Sequence, residues 1–111
     1  MNISTETREG HSILSLKDER LDASNSGELR DIILGLLRAE GQRLIMDLSA
    51  VSFIDSSGLG TLLNSRKDAY HCSSSIALTG LQPRVQSMLE LTRLNQIFDI
   101  FPTLEDAIAK R

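Results

Sequence analysis

Two adjacent hydroxyls, Ser56 and Ser57, stand where an apolar strand ends and a helix opens, within Val-Ser-Phe-Ile-Asp-Ser-Ser-Gly-Leu-Gly running from Val51 to Gly60. At a helix N-terminus a serine oxygen can cap free backbone N–H groups, and added negative charge meets the positive end of the helix dipole. Such hydroxyls can serve as a cap, a nucleophile or a switch. A nucleophile needs a base within reach. The two histidines are His11, in a predicted strand, and His71, at the far end of the helix the serines begin. The Gly-x-Ser-x-Gly elbow is also absent, so hydrolysis is set aside. Gly58-Leu59-Gly60-Thr61 has no lysine and too short a spacing for a phosphate-cradling loop. Asp22, Asp47 and Asp55 could surround a cation if strand ends converged, but turn, strand end and loop are their simpler uses, and neither metal nor cofactor is expected. Cap and switch remain. Gly58 and Gly60 fall in the first helical turns, where each costs about 1 kcal/mol relative to alanine. Close approach of another protein's backbone is the simplest compensation.

The elements that must position this stretch follow from periodicity. Asn2 to Arg8 and His11 to Lys17 alternate around Glu9-Gly10 and read as a hairpin. Asn25 with Glu28 three residues on suggests a capping box. It is followed by an apolar stripe, Leu29, Ile32, Ile33, Leu36 and Leu37, with Arg30, Asp31 and Arg38 outward and Gly41 as C-cap. Leu44 to Leu48 has the continuous apolar character of an interior strand. After Asp55, Leu59, Leu62, Leu63, Ala69 and Tyr70 form a second stripe, with Thr61, Asn64, Lys67 and Asp68 outward. Ser74 to Thr79 reads as a strand closed by Gly80, and Pro83 opens a helix bearing Val85, Met88 and Leu89. Ile97 to Phe101 is a last strand, and Thr103 with Asp106 caps a terminal helix carrying Leu104, Ala107 and Ile108. The order β-β-α-β-α-β-α-β-α predicts an α/β fold with a mixed sheet of about five strands, the N-terminal one antiparallel, and about four helices.

Composition narrows the partners. The 111 residues fit one domain with no linker, repeat or low-complexity segment. A net charge of −3 argues against a nucleic-acid or anionic-lipid surface. Cys72 is the single cysteine, which excludes an internal disulfide; a small residue near a helix end is its simple reading. The N-terminus lacks a signal pattern, and no apolar run approaches a membrane span. A cytoplasmic protein, monomeric and not membrane-inserted, is expected.

The segment Leu44-Ile-Met-Asp-Leu-Ser-Ala-Val-Ser-Phe-Ile54 followed by Asp55-Ser56-Ser57-Gly58-Leu59-Gly60 closely resembles the signature of bacterial anti-sigma factor antagonists of the STAS domain family. Leu21-Asp22, Ala77-Leu78-Thr79-Gly80-Leu81 with Val85 and Leu89, and Leu91-Thr92-Arg93-Leu94 through Phe101 to Glu105-Asp106-Ala107 also look like that family, so the resemblance spans nearly all of residues 1–111. It implies a non-enzymatic partner switch. The unphosphorylated protein binds an anti-sigma factor that is often a serine kinase, and so releases a sigma factor; phosphorylation breaks the complex, and a PP2C-type phosphatase restores it. In the family the modified hydroxyl directly follows the aspartate, which selects Ser56, with Ser57 in reserve. The partner face would comprise Asp22, Asp55, Ser56, Ser57, Gly58, Leu59, Gly60, Thr61 and Asn64. Other STAS proteins suggest an alternative, a subunit of an ABC-type lipid-transport complex docked on its ATPase without phosphorylation. A small-molecule binding STAS domain is a third.

Overall fold

The computed structural model describes residues 1–110; Arg111, the last residue of the expected domain, lies outside them. In chain order the elements are β1 (Ile3–Arg8), β2 (His11–Leu16), β3 (Arg20–Leu21), α1 (Ser26–Leu36), β4 (Arg43–Asp47), β5 (Phe53–Ile54), α2 (Ser56–His71), β6 (Ser75–Thr79), α3 (Pro83–Leu91), β7 (Asp99–Phe101) and α4 (Leu104–Lys110), with a 3-10 turn at Leu94–Gln96. The hairpin is as expected: β1 and β2 pair antiparallel, and its two-residue turn uses left-handed backbone at Glu9 (φ 49°) and Gly10 (φ 79°). The sheet order is β1-β2-β4-β6-β7, parallel from β2 onward. β4 is its central strand, and Leu44, Ile45 and Met46 are each fully buried, as an apolar run covered on both faces requires.

The pleat divides the core. Leu14, Leu16, Leu44, Met46, Ile76 and Leu78 face α1, α2 and α3 and join Leu29, Ile33, Leu62, Val85 and Leu89 in the larger cluster. Ile13, Ile45 and Ala77 face the other way and are covered by α4 through Ala107, Leu104 and Ile108. The expected Thr103 cap is present, its Oγ1 accepting the Asp106 N–H at 3.1 Å. Thus three helices pack on one face and one short helix on the other.

Several local expectations are corrected. Asn25 precedes α1 but makes no capping-box bond. Its side chain is spent on the incoming chain, accepting from the Asp22 N–H at 2.9 Å and donating to Arg20 O at 2.8 Å. α1 ends at Leu36, and Gly41 (φ 74°) serves the later turn into β4 rather than the helix end. Arg30 and Asp68, both read as outward, clamp α1 to α2: Arg30 Nε and Nη2 donate to Asp68 Oδ2 and Oδ1 at 3.1 and 3.2 Å. On α2 the expected stripe holds at Leu59, Leu62 and Ala69, but Thr61, expected outward, and Tyr70, expected inward, are reversed. The helix buries Gly58, Leu59, Thr61, Leu62, Ser65 and Ala69, while Tyr70 is 77% exposed. The reason is close packing on α1, where small residues fit and the Thr61 hydroxyl donates to Ser26 O at 3.3 Å. The last strand starts two residues later than expected, because Leu94–Gln96 coils tightly first. Finally, β3 and β5 pair in parallel as a separate two-stranded sheet, Arg20 beside Phe53 and Leu21 beside Ile54.

Candidate functional site

The site is assembled where β5 turns into α2. Asp55 keeps an extended conformation (φ −108°, ψ −173°) and caps the helix, its Oδ1 accepting the Gly58 N–H at 3.0 Å. The cap that the residues alone left open to Ser56 or Ser57 is therefore made by Asp55, an equally good capping residue one position earlier. That frees both serines. Ser56 is the first helical residue and is exposed; Ser57 follows and is half-buried. Among the described residues neither hydroxyl has a hydrogen-bond partner. Both lie in the first turn, where unpaired N–H groups and the positive end of the helix dipole favour an anion.

The small second sheet holds this turn in place. Asp55 donates its N–H to Leu21 O at 3.3 Å, across the β3–β5 pair. The same carbonyl is the wall against which α2 packs. A Cβ on Gly58 would lie 2.5 Å from Leu21 O and 2.7 Å from Ile54 Cγ1. The expectation that Gly58 serves a partner's approach is therefore corrected: its missing side chain is needed inside this fold. Gly60 is different, half-buried with nothing within 4 Å of a built Cβ, and it remains open to close approach.

The parallel register places Asp22 at the exit of β3 beside Asp55 at the exit of β5, next to the turn that carries the serines. Asp22 accepts from the Ser24 N–H at 3.0 Å, the Ser24 hydroxyl at 2.6 Å and Arg20 Nε at 3.2 Å. The Ser24 hydroxyl, followed by the Ser24 N–H and Arg20, holds this carboxyl below its ordinary value of 3.8. Arg20 also stacks over Phe53, 4.0 Å from the ring centroid. Of the other expected residues, Asn64 is exposed two turns along α2, whereas Leu59 and Thr61 are buried and can shape the surface only from beneath. Asp47 turns its Oδ1 to the Ser49 N–H at 3.0 Å. The three aspartates thus serve as helix cap, strand-end turn and loop brace. Among the described residues no cluster of three His, Cys, Asp or Glu is placed to hold a metal ion. His11 is buried at the start of β2 and His71 closes α2, about 22 Å along the helix from Ser56 at 1.5 Å per residue. Neither is a base for the serines.

The roles of Arg20, Ser24, Asn25 and the Leu21 carbonyl were not read from the sequence. Two-residue strands have no period to detect, and only the Leu21-Asp22 pair gave a signal there.

A model of the STAS domain matches residues 2–107. The chain belongs to the STAS domain family. This STAS domain is 32% identical over 103 residues to a protein of Listeria monocytogenes named anti-sigma-B factor antagonist, covering 90% of each chain. Among solved structures, an anti-sigma factor antagonist from Mycobacterium paratuberculosis superposes with a TM-score of 0.87 at 26% identity, over 98% of this chain and 92% of that one. The fold is shared with the Bacillus cell fate determinant SpoIIAA in its phosphorylated form (TM-score 0.70, 19% identity, 98% of both chains). It is shared also with unphosphorylated SpoIIAA (TM-score 0.80, 21% identity, 98% and 95%). No helix among the described residues is long and apolar enough to cross a membrane.

Proposed function

We propose that this STAS domain is a cytoplasmic, monomeric anti-sigma factor antagonist: unphosphorylated, it binds an anti-sigma factor that is also a serine kinase, and so frees a sigma factor. Phosphorylation of Ser56 ends the interaction, and a PP2C-type phosphatase restores it. The chain itself is an acceptor and performs no catalysis. The observation that carries this reading is the exposed Ser56 at the first position of α2, its hydroxyl unengaged because Asp55 makes the cap. The name of the Listeria relative supports the regulatory role, and SpoIIAA, with structures in both forms, supports control by phosphate. The transport-complex alternative has no comparable support.

Electrostatics supply the mechanism. A phosphate adds about −1.5 to −2 charges at the exposed start of α2, so a partner fitted to the neutral serine meets an unmatched charge and its desolvation cost. A loss of about 3 kcal/mol weakens binding roughly a hundredfold. At a helix N-terminus the same charge is tolerated by the fold, so stability changes little. The contact face is the stripe Ser56, Ser57, Gly60 and Asn64, bordered by Asp22, held in place by the Asp55 cap and shaped by the buried Gly58, Leu59 and Thr61.

The test is to incubate the protein with its cognate kinase and ATP and map the phosphate. Modification of Ser56 and a roughly hundredfold affinity loss for Ser56→Asp are expected. Phosphate on neither serine, or undiminished binding by Ser56→Asp, overturns the reading. Capture of a transport ATPase instead of a kinase would favour the alternative.

A further inference from the structure

Asp55 is half-buried, and its N–H, its carbonyl and one carboxylate oxygen are all bound within the fold. Its N–H goes to Leu21 O at 3.3 Å, its carbonyl accepts the Leu59 N–H at 2.9 Å, and its Oδ1 accepts the Gly58 N–H at 3.0 Å. Ser56 and Ser57 are therefore held between two anchored points, Asp55 on one side and Gly58, pressed against Leu21 and Ile54, on the other. We propose that Asp55 is a positioning residue, which presents Ser56 by capping α2, and that its negative charge is not what the partner reads. This rests on the proposed role of Ser56 as acceptor.

Phosphoryl transfer is sensitive to such placement, because an acceptor oxygen about 1 Å out of line can lower the rate on the order of a hundredfold. The cap and the charge of Asp55 can be separated by substitution. Asn offers a side-chain oxygen at the same reach without charge and caps as well as Asp. Glu keeps the charge, but its extra methylene moves the carboxylate out of capping position, and Ala removes both.

The experiment compares wild type with Asp55→Asn, Asp55→Glu and Asp55→Ala in two measurements on the full chain. One is the rate of Ser56 phosphorylation at saturating protein with the cognate kinase and ATP. The other is amide hydrogen exchange at Gly58. The expected order is Asn equal to wild type, with Glu and Ala severalfold slower in phosphorylation and on the order of fivefold faster in Gly58 exchange, the size of a typical cap loss. Asn as impaired as Ala, with Glu near wild type, overturns the proposal in favour of charge recognition. Full activity for all three overturns it as well. If the kinase leaves wild-type Ser56 and Ser57 unmodified, the acceptor reading fails instead, and Gly58 exchange still decides whether Asp55 organises the turn.

Discussion

Gly58 and Gly60 lie two residues apart in the same helix, yet alanine at the two positions should act in opposite directions. At Gly58 the new methyl would stand 2.5 Å from Leu21 O, a backbone atom tied into the β3–β5 pair, and 2.7 Å from Ile54 Cγ1. The carbonyl cannot yield without moving a strand, and the Ile54 side chain, buried in the core, has little room to turn aside. Overpacking of this kind costs about 2–3 kcal/mol, and the gain in helix propensity returns about 1, leaving a net loss of about 1–2 kcal/mol. At Gly60 nothing lies within 4 Å, so the propensity gain of about 0.5–1 kcal/mol is realised. For a chain of 111 residues the unfolding entropy is about 0.23 kcal/mol/K, so each kcal/mol moves Tm by about 4 °C. Gly58→Ala should therefore melt about 4–8 °C below wild type and Gly60→Ala about 2–4 °C above it. Circular dichroism melts measure this directly. Titration against the anti-sigma partner adds a second axis: under the proposed function Gly60→Ala binds more weakly although it is more stable. A Gly58→Ala protein melting at or above wild type would refute the packing argument, and a destabilised Gly60→Ala would refute the claim that this position is open.

Three further outcomes follow from the same structure. Asp22 is held below 3.8 chiefly by Ser24, so Ser24→Ala should raise its carboxyl toward that value in an NMR titration. Because a depressed folded value stabilises the fold above the unfolded one, the stability advantage of wild type over Ser24→Ala should be present at neutral pH and fade as the pH falls below about 4; an unmoved Asp22 titration contradicts the assignment. Tyr70 is 77% exposed, so Tyr70→Ser should leave stability within about 0.5 kcal/mol in urea unfolding, whereas a core role would cost several times more. Thr103→Ala removes the cap of α4 and should cost about 1 kcal/mol, with faster amide exchange confined to the first turn of that helix; unchanged exchange there would show the cap to be idle.

Long periodic segments were readable in the sequence because burial imposes a repeat on them. The stripe from Leu29 to Leu37, the run Leu44 to Leu48 and the hairpin about Glu9-Gly10 all lie where their patterns put them. The strand-to-helix junction was legible too, and Ser56 stands exposed at the first position of α2. What escaped was whatever depends on a second element. Thr61 and Ser65 are polar, and only contact with α1 makes their face of α2 the buried one. Asn25 has the spacing of a capping residue, but the incoming loop claims its side chain first. Gly58 showed a cost without showing its cause, because the carbonyl that demands it belongs to Leu21, far away in the chain.

Under the proposed function, that distant carbonyl also bears on what kind of object the acceptor is. A synthetic peptide covering β5 and α2 would contain the whole hexapeptide around Ser56, but it would lack Leu21, the neighbouring Asp22 and the surface that fixes the first turn. A sixteen-residue helix with glycines near its start is at best marginal on its own in water. The serine becomes a shaped substrate only in the folded chain, so under the proposed function a kinase here reads a conformation rather than a sequence. A nascent or unfolded copy would pass unmodified, and the signal would count finished molecules alone.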